Sequence, residues 1–180
     1  MYEFIFAGFG GQGVLAAGVI MANAGMQGGL ATTWLPSYGA EQRGGTANCS
    51  VKLSNREVGS PYVKKPNILV VFNGPSLDKF ENAVKPGGYI FYNSSLIDRA
   101  VTRTDVTAIP VDATNLASEL GNAKAANVIM VGAVSSYLPD LSREHIEAAI
   151  KDYFKSKSQK VIDLNMKARE VGISAGKHQK

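Results

Sequence analysis

Short apolar runs alternate along the chain with longer mixed segments, and glycine or proline separates most of them. An apolar run of four to eight residues between turn residues is typical of a buried strand, whereas longer runs favour helices. The predicted strands are residues 2–7, 30–35, 46–53, 68–72, 89–92 and 107–111. The predicted helices are residues 14–22 with an end near 25–29, 75–84, 113–121, 127–138, 143–154 and 161–171. Alternating strands and helices predict a three-layer α/β domain with a mainly parallel sheet.

Local signals refine these boundaries. Residues 46–53 follow a strand and a loop without an intervening helix, so this strand is a candidate for antiparallel pairing. Pro75 suits the first turn of a helix, where its missing N–H removes no hydrogen bond. Ser142 is a good N-cap for the helix that follows it. Residues 36–45 are predicted as a loop by their composition.

The chain is predicted to form one domain over residues 1–180, because it shows no internal repeat and no linker. Residues 172–180 are predicted to be a flexible tail. The net charge of +4 arises near the end of the chain. Residues 151–180 hold eight Lys/Arg against three Asp/Glu, whereas residues 1–150 hold eleven against twelve. No nucleic-acid-binding module accompanies this charge, which favours a solvated helix face or an acidic partner over nucleic acid.

Cysteine and histidine are scarce in this chain. Cys49 is the single cysteine, so no disulfide within the chain and no cysteine-based zinc or iron–sulfur site is expected. His145 and His178 are far apart in sequence. We predict neither a catalytic residue nor a metal site. The first residues lack the features of a signal peptide, and no apolar run approaches the roughly 20 residues of a membrane span, so a cytoplasmic protein is expected.

A glycine-rich turn follows the first predicted strand. Gly8, Gly10 and Gly13 match the pattern G-x-G-x-x-G between a strand and a helix, as in Rossmann-like folds. Such a turn either brings backbone N–H groups close to an anion or simply packs a strand against a helix. Binding of a dinucleotide also requires an acidic residue at the end of the second strand, and residues 32–36 contain none. Nicotinamide dinucleotide binding is therefore disfavoured, and the absence of Gly-Lys-Ser/Thr excludes a Walker A loop.

The polar segment at residues 38–45 is the second notable motif. Tyr38, Glu41 and Arg43 lie close together in sequence and are followed by Gly44 and Gly45. One interpretation is an exposed loop with a local Glu–Arg pair, which contributes little stability. The other is a recognition element, in which the arginine makes a bidentate contact with a carboxylate or phosphate.

Together, the two motifs resemble a known family. The segments GFGGQGV at residues 8–14 and SYGAEQRGG at residues 37–45 are similar to those of the gamma subunits of 2-oxoacid:ferredoxin oxidoreductases. The strand TANCSV at residues 46–51 and the turn Ser60-Pro61 also resemble that family, and the likeness covers essentially the whole chain. The form S-Y-G-x-E-x-R-G-G is more similar to the 2-oxoglutarate branch than to the pyruvate branch.

This resemblance implies a subunit of an enzyme that converts a 2-oxoacid, coenzyme A and oxidised ferredoxin into an acyl-CoA, carbon dioxide and reduced ferredoxin. Thiamine diphosphate, magnesium and iron–sulfur clusters would be carried by other subunits or domains, so the isolated chain is expected to be inactive. The implied partners are the alpha and beta subunits, with a delta subunit in some complexes, and ferredoxin through the complex. The implied binding or interface residues of this chain are Gly8, Gly10, Gly11, Gln12, Gly13, Tyr38, Glu41, Arg43, Gly44 and Gly45.

Three alternatives remain at this stage. One is a stand-alone nucleotide-binding protein that uses the glycine turn. Another is the equivalent subunit of a pyruvate, branched-chain or indolepyruvate ferredoxin oxidoreductase. The third is a regulatory binding module without an enzyme partner.

Overall fold

A computed structural model describes residues 1–38 and 45–177. The six strands are β1 Tyr2–Phe9, β2 Ala31–Tyr38, β3 Thr46–Ser54, β4 Ile68–Val71, β5 Tyr89–Asn93 and β6 Thr107–Val111. The helices are α1 Val14–Gln27, α2 Gly74–Phe80, α3 Ala113–Glu119, α4 Ala126–Ser135, α5 Arg143–Tyr153 and α6 Gln159–Lys177. Two short 3₁₀ turns, Glu81–Ala83 and Ala123–Ala125, precede β5 and α4.

The strands form one six-stranded sheet in the order β2-β3-β1-β4-β5-β6. The pairs β1–β4, β4–β5 and β5–β6 are parallel, whereas β3 runs antiparallel to both of its neighbours. The predicted mainly parallel α/β fold is therefore confirmed, as is the antiparallel direction of β3. Phe6 illustrates the register, because it pairs with Cys49 on one side and with Val70 on the other.

The two faces of the sheet are covered unequally. Phe4 and Phe6 of β1 point to a core that α1, α3, α4, α5 and α6 share. Ile5 and Ala7 point to the opposite face, where α2 supplies Leu77 and the neighbouring connections supply further apolar side chains. Consecutive side chains of a strand alternate between faces, which explains why β1, β4 and β5 each contain consecutive buried apolar residues, 4–7, 68–71 and 90–91. As a result, α1 and α2 lie on opposite faces of the sheet.

The edge strand β2 is longer than predicted. Residues 36–38 were expected in a loop, but Pro36 pairs with Cys49 and the strand continues to Tyr38. Proline lacks an N–H, and an edge strand tolerates this because half of its N–H groups have no partner strand. The remaining part of the predicted loop, residues 39–44, lies outside the described residues.

The last helix is also longer than predicted. The prediction of a flexible tail from Gly172 is wrong for residues 172–177, which belong to α6. Gly172 and Gly176 are buried because the backbone of α6 lies directly against Ile129 and Ala133 of α4. A side chain at either position would overlap α4, so glycine here permits close packing of two helices. Residues 178–180 lie outside the described part of the chain.

Candidate functional site

At the ends of the neighbouring parallel strands β1 and β4, the chain leaves towards opposite faces of the sheet. After β1 the chain enters α1 on one side, and after β4 it enters α2 on the other. In open α/β sheets, ligands bind outside the carboxyl ends of the strands at such a switch point. The glycine turn at residues 8–13 lies at this position, so it is the candidate site.

The backbone of the glycine turn requires glycine at two positions. Gly11 and Gly13 have φ angles of +94° and +74°, a region that other residues rarely adopt. Gly13 is also the N-cap residue of α1, which has no side-chain cap and no acidic residue in its first turn. The start of α1 therefore presents backbone N–H groups without a negative side chain beside them.

Gln12 fastens the glycine turn to β4. Its Oε1 atom accepts hydrogen bonds from the backbone N–H of Phe9 (2.7 Å) and from Nδ2 of Asn73 (3.1 Å). Its Nε2 atom donates to the carbonyl oxygen of Phe72 (3.3 Å). Gly8 leaves room for this side chain, since a Cβ atom at that position would lie 2.7 Å from Gln12 Oε1. Gln12 and Gly8 thus connect the two strand ends at the switch point.

Two asparagines that the sequence analysis did not single out complete this arrangement. Asn73 is 4% exposed, and its Oδ1 atom accepts from the backbone N–H of Ser76 (2.9 Å), which caps α2. Asn127 of α4 is 5% exposed and donates from Nδ2 to the carbonyl oxygen of Gly13 (3.3 Å). The sequence offered one signal for the first: an asparagine two residues before Pro75 is a favourable helix cap. It offered none for the second.

The structure brings Gly45, at one end of the second motif, to the glycine turn. The backbone N–H of Gly10 donates to the carbonyl oxygen of Gly45 (3.0 Å). Ala47 pairs with Gly8 on one side and with Tyr38 on the other. The two motifs therefore share one end of the sheet. The predicted site residues Glu41, Arg43 and Gly44, together with the side chain of Tyr38, lie outside what the structure describes.

The order of the strands bears on dinucleotide binding. In a dinucleotide-binding fold the acidic ribose ligand stands at the end of a strand beside the glycine turn. Here β3 separates β2 from β1. With strands about 4.8 Å apart, the end of β2 lies roughly 10 Å from that of β1. The end of β2 therefore does not lie beside the glycine turn, and residues 31–38 contain no acidic residue.

Cys49 is a titratable group near the start of α1, where its Sγ atom lies 3.9 Å from the carbonyl oxygen of Val14. Cys49 is fully buried beneath α1, and this burial raises the pKa of its thiol to about 12 although a hydrogen bond with Trp34 acts in the opposite direction. The thiol is therefore protonated and inert at neutral pH. Across residues 1–38 and 45–177, no cluster of three His, Cys, Asp or Glu side chains could hold a metal ion. Among those same residues no helix is both long and apolar enough to cross a membrane.

Comparison with known protein families gives a match over residues 3–175 to the family described as pyruvate ferredoxin/flavodoxin oxidoreductase. The ketoisovalerate oxidoreductase subunit VorA of Methanothermobacter marburgensis is 43% identical over 167 residues, which is 92% of this chain and 34% of VorA. The chain thus spans about a third of the length of that relative.

Two further proteins match over most of their own length. The 2-oxoglutarate synthase subunit KorC of Methanocaldococcus jannaschii is 34% identical over 153 residues, covering 83% of this chain and 82% of KorC. The crystal structure of a keto/oxoacid ferredoxin oxidoreductase gamma subunit from Geobacter sulfurreducens superposes with a TM-score of 0.84 at 28% identity. That superposition covers 99% of each chain.

Proposed function

We propose that this chain, which belongs to the pyruvate ferredoxin/flavodoxin oxidoreductase family, is the gamma subunit of a cytoplasmic 2-oxoacid:ferredoxin oxidoreductase. The resemblance found in the two sequence motifs is confirmed by the family match. The observation that carries the proposal is the full-length likeness to a solved gamma subunit, which spans 99% of both chains.

In this proposal the complex decarboxylates a 2-oxoacid oxidatively, transfers the acyl group to coenzyme A and passes electrons to ferredoxin. The alpha and beta subunits, with a delta subunit in some complexes, bind thiamine diphosphate, magnesium and the iron–sulfur clusters. The single cysteine of this chain, Cys49, is buried and protonated, which disfavours it as a ligand of an iron–sulfur cluster.

Among the possible 2-oxoacid substrates, two have specific support. The motif at residues 37–45 favours 2-oxoglutarate. The 43% identity to a ketoisovalerate oxidoreductase subunit, against 34% to a 2-oxoglutarate synthase subunit, favours a branched-chain acid. Activity of the assembled complex on 2-oxoglutarate, ketoisovalerate, pyruvate and indolepyruvate, each with coenzyme A, would decide between these candidates.

Within the complex, we assign the glycine turn and residues 38–45 to a subunit interface close to the active centre or to the path of coenzyme A. This assignment is supported by the hydrogen bond between Gly10 and Gly45, which joins the two motifs at the switch point of the sheet. Arg43 would form the specific contact, because a guanidinium group pairs with a carboxylate or phosphate through two parallel hydrogen bonds.

The alternative of a stand-alone nucleotide-binding protein is less well supported. It requires a ribose ligand beside the glycine turn, and the neighbouring strand at that point is β3, which runs in the opposite direction. It also requires the switch point to be open, whereas Gln12 bridges the ends of β1 and β4.

Reconstitution tests the proposed function. The purified chain, supplied with 2-oxoacid, coenzyme A, thiamine diphosphate and a redox dye, should reduce no dye. Addition of the thiamine- and cluster-binding subunits from the same source should give a stable complex with turnover that depends on coenzyme A. Dye reduction by the isolated chain, or failure of the wild-type chain to join that complex, would overturn the proposal.

The role of Arg43 has its own test. Arg43→Lys should lower turnover or partner affinity at least tenfold, which corresponds to about 1.4 kcal/mol, and should leave the melting temperature of the isolated chain unchanged. Arg56→Lys, at an exposed arginine among the described residues, is the control and should have no effect. Normal assembly, turnover and coenzyme A dependence of the Arg43→Lys complex would contradict the assignment.

A further inference from the structure

Lysines cluster at the turn between α5 and α6. Residues 151–160 contain four lysines and one acidic residue, Asp152, and all of these side chains are exposed. We call this surface the basic corner and define it by the residues Lys151, Tyr153, Lys155, Lys157 and Lys160.

Little of this positive charge is neutralised within the chain. Asp152 is paired with Lys155, at 3.0 Å between Oδ1 and Nζ. In the described ranges 1–38 and 45–177, Lys151, Lys157 and Lys160 form no salt bridge, although Lys151 is one of the charges that lower the pKa of Glu147. The nearby Asp163 accepts instead from the side-chain amide of Gln159 (2.8 Å). The basic corner therefore keeps a net positive charge.

Two of these lysines lie near the start of α6, where positive charge lowers the stability of the helix. The N-terminus of a helix carries about half a positive charge, so acidic residues are favoured there and lysines are not. α6 begins at Gln159, and its first turn holds no acidic residue. Lys157 and Lys160 add positive charge to this end of the helix. Residues that lower the local stability of a fold are typical of functional surfaces. Here an anionic group of a partner would relieve the repulsion between the lysines and the positive end of α6.

An aromatic ring stands among the lysines. Tyr153 is 39% exposed, and its ring meets that of Phe154 edge-to-face, with 4.9 Å between centroids. Phe154 packs against the main core, and its carbonyl oxygen accepts from the backbone N–H of Lys157 (2.8 Å). The tyrosine is thus held by a fixed turn. Rigid aromatic side chains of this kind are enriched at protein–protein interfaces.

The basic corner lies towards the same end of the domain as the candidate site. α5 packs along α1 and starts beside its end, since a Cβ atom on Gly28 would lie 3.2 Å from Nδ1 of His145. The other end of α5, at Tyr153, therefore points back towards the start of α1 and the glycine turn. A partner bound at the glycine turn can extend over the basic corner.

We infer that the basic corner binds a carboxylate-rich surface of a neighbouring subunit in the oxidoreductase complex; this inference rests on the proposed function. Its four lysines would steer the partner and fix its orientation, which is the usual contribution of complementary charge at an interface. Tyr153 would bury its ring against that partner. The exposed aromatic ring, and the absence of a nucleic-acid-binding module from the sequence, favour a protein over nucleic acid.

The test compares the wild-type chain with the double variant Lys157→Glu/Lys160→Glu. Both are titrated against the purified assembly of thiamine- and cluster-binding subunits at about 50 and about 300 mM salt, because screening weakens contacts between exposed charges. The variant should bind at least tenfold more weakly at low salt and should lose most of the salt dependence. Its melting temperature should stay equal or rise, since glutamate suits the start of α6. Lys64→Glu/Lys65→Glu, at exposed lysines before β4, is the control and should bind as the wild type does.

Equal affinity and equal salt dependence of the wild type and the first variant would overturn the inference. Loss of binding to a duplex DNA probe, with subunit binding unchanged, would also overturn it and would assign the surface to nucleic acid. A wild-type chain that does not bind the assembly at either salt concentration would instead overturn the proposed function. If the glutamate variant does not fold, Lys157→Gln/Lys160→Gln gives the same comparison without new charge.

Discussion

Asn127 holds the carbonyl oxygen of Gly13 through a 3.3 Å hydrogen bond that spans 114 residues of sequence. The glycine turn is therefore fixed from two sides, by α4 through Asn127 and by β4 through Gln12. The partners of the turn in these two contacts, Asn127 and Phe72, are both distant from it in sequence. A ligand or partner that meets the backbone N–H groups of this turn finds them already in place, which lowers the entropy lost on binding.

Replacement of Gly13 by alanine should destabilise the domain by about 2–4 kcal/mol. The left-handed backbone conformation costs roughly 1–2 kcal/mol for a residue with a Cβ atom, and overpacking adds a similar amount. The new Cβ atom would lie 2.5 Å from Nδ2 of Asn127. Urea unfolding would measure the loss. Gly11→Ala is the matched control, because its φ angle is also positive but its surroundings are open, so only the conformational term of about 1–2 kcal/mol applies.

The lowered pKa of Glu81 should make the free energy of unfolding depend on pH. This buried carboxylate accepts from the N–H of Thr102 (2.6 Å) and its Oγ1 (2.8 Å), and it pairs with Arg99 (2.8 Å). Burial raises the pKa of Glu81, but these hydrogen bonds and the arginine outweigh it and hold the pKa below the usual value. Because the folded-state pKa is the lower one, the stabilisation is present above the unfolded pKa of about 4.3 and is lost as pH falls through the folded-state value.

Glu81→Gln should accordingly lower the free energy of unfolding at pH 7 by about 1.5–3 kcal/mol, the usual contribution of hydrogen bonds to a charged group. The difference between wild type and variant should shrink below about pH 4. Chemical unfolding at several pH values would measure both effects. A difference that stays constant from pH 7 to about pH 3 would show that the charge of Glu81 is not involved.

A side chain at position 172 should weaken the packing of α6 against α4. Gly172→Ala should destabilise the domain by about 1–3 kcal/mol, since the added methyl group overlaps the backbone of Ile129 and one of the helices must shift. Gly59→Ala, which meets no atom within 4 Å, should change stability by less than about 0.5 kcal/mol. Thermal unfolding of the two variants tests this directly, and equal melting temperatures would mean that the helices are loosely packed.

Cys49 should resist thiol reagents in the folded chain. It is fully buried, and the pKa of about 12 leaves almost no thiolate at pH 8. A colourimetric disulfide reagent should therefore react only after denaturant is added, with one thiol released per chain. Rapid reaction in native buffer would indicate that α1 separates readily from the sheet.

The sequence predicted the elements of the fold well where local chemistry decides. The Ser142 cap is present and accepts from the backbone N–H of His145. Pro75 lies in the first turn of α2, and β3 is antiparallel as expected. The end of β2 was misplaced because proline is a strong turn signal, and only the position of β2 at the sheet edge makes Pro36 acceptable in a strand.

The prediction of a flexible tail from Gly172 also failed because it relied on local sequence alone. Gly172 and Gly176 are four residues apart, a spacing that places both on one face of a helix. Read in isolation, two glycines near the end of a chain indicate flexibility. Their actual role depends on α4, which is distant in sequence, so only the packed structure reveals it. The same holds at the site, where the turn was predicted but Asn127 and Asn73 could not be assigned to it.

The antiparallel strand β3, which lies between β1 and β2, also predicts an order of folding. β2 and β3 are neighbours in sequence, with Tyr38 opposite Ala47, whereas the β1–β4 ladder joins Phe4 to Ile68. Closing a short loop loses less chain entropy than closing a long one, so the β2–β3 hairpin should form before the parallel ladders. Substitutions in this hairpin should then slow refolding, while those in β5 and β6 should mainly speed unfolding. The earliest structure in the chain would thus join the two strands on either side of the second motif, before the glycine turn is in place.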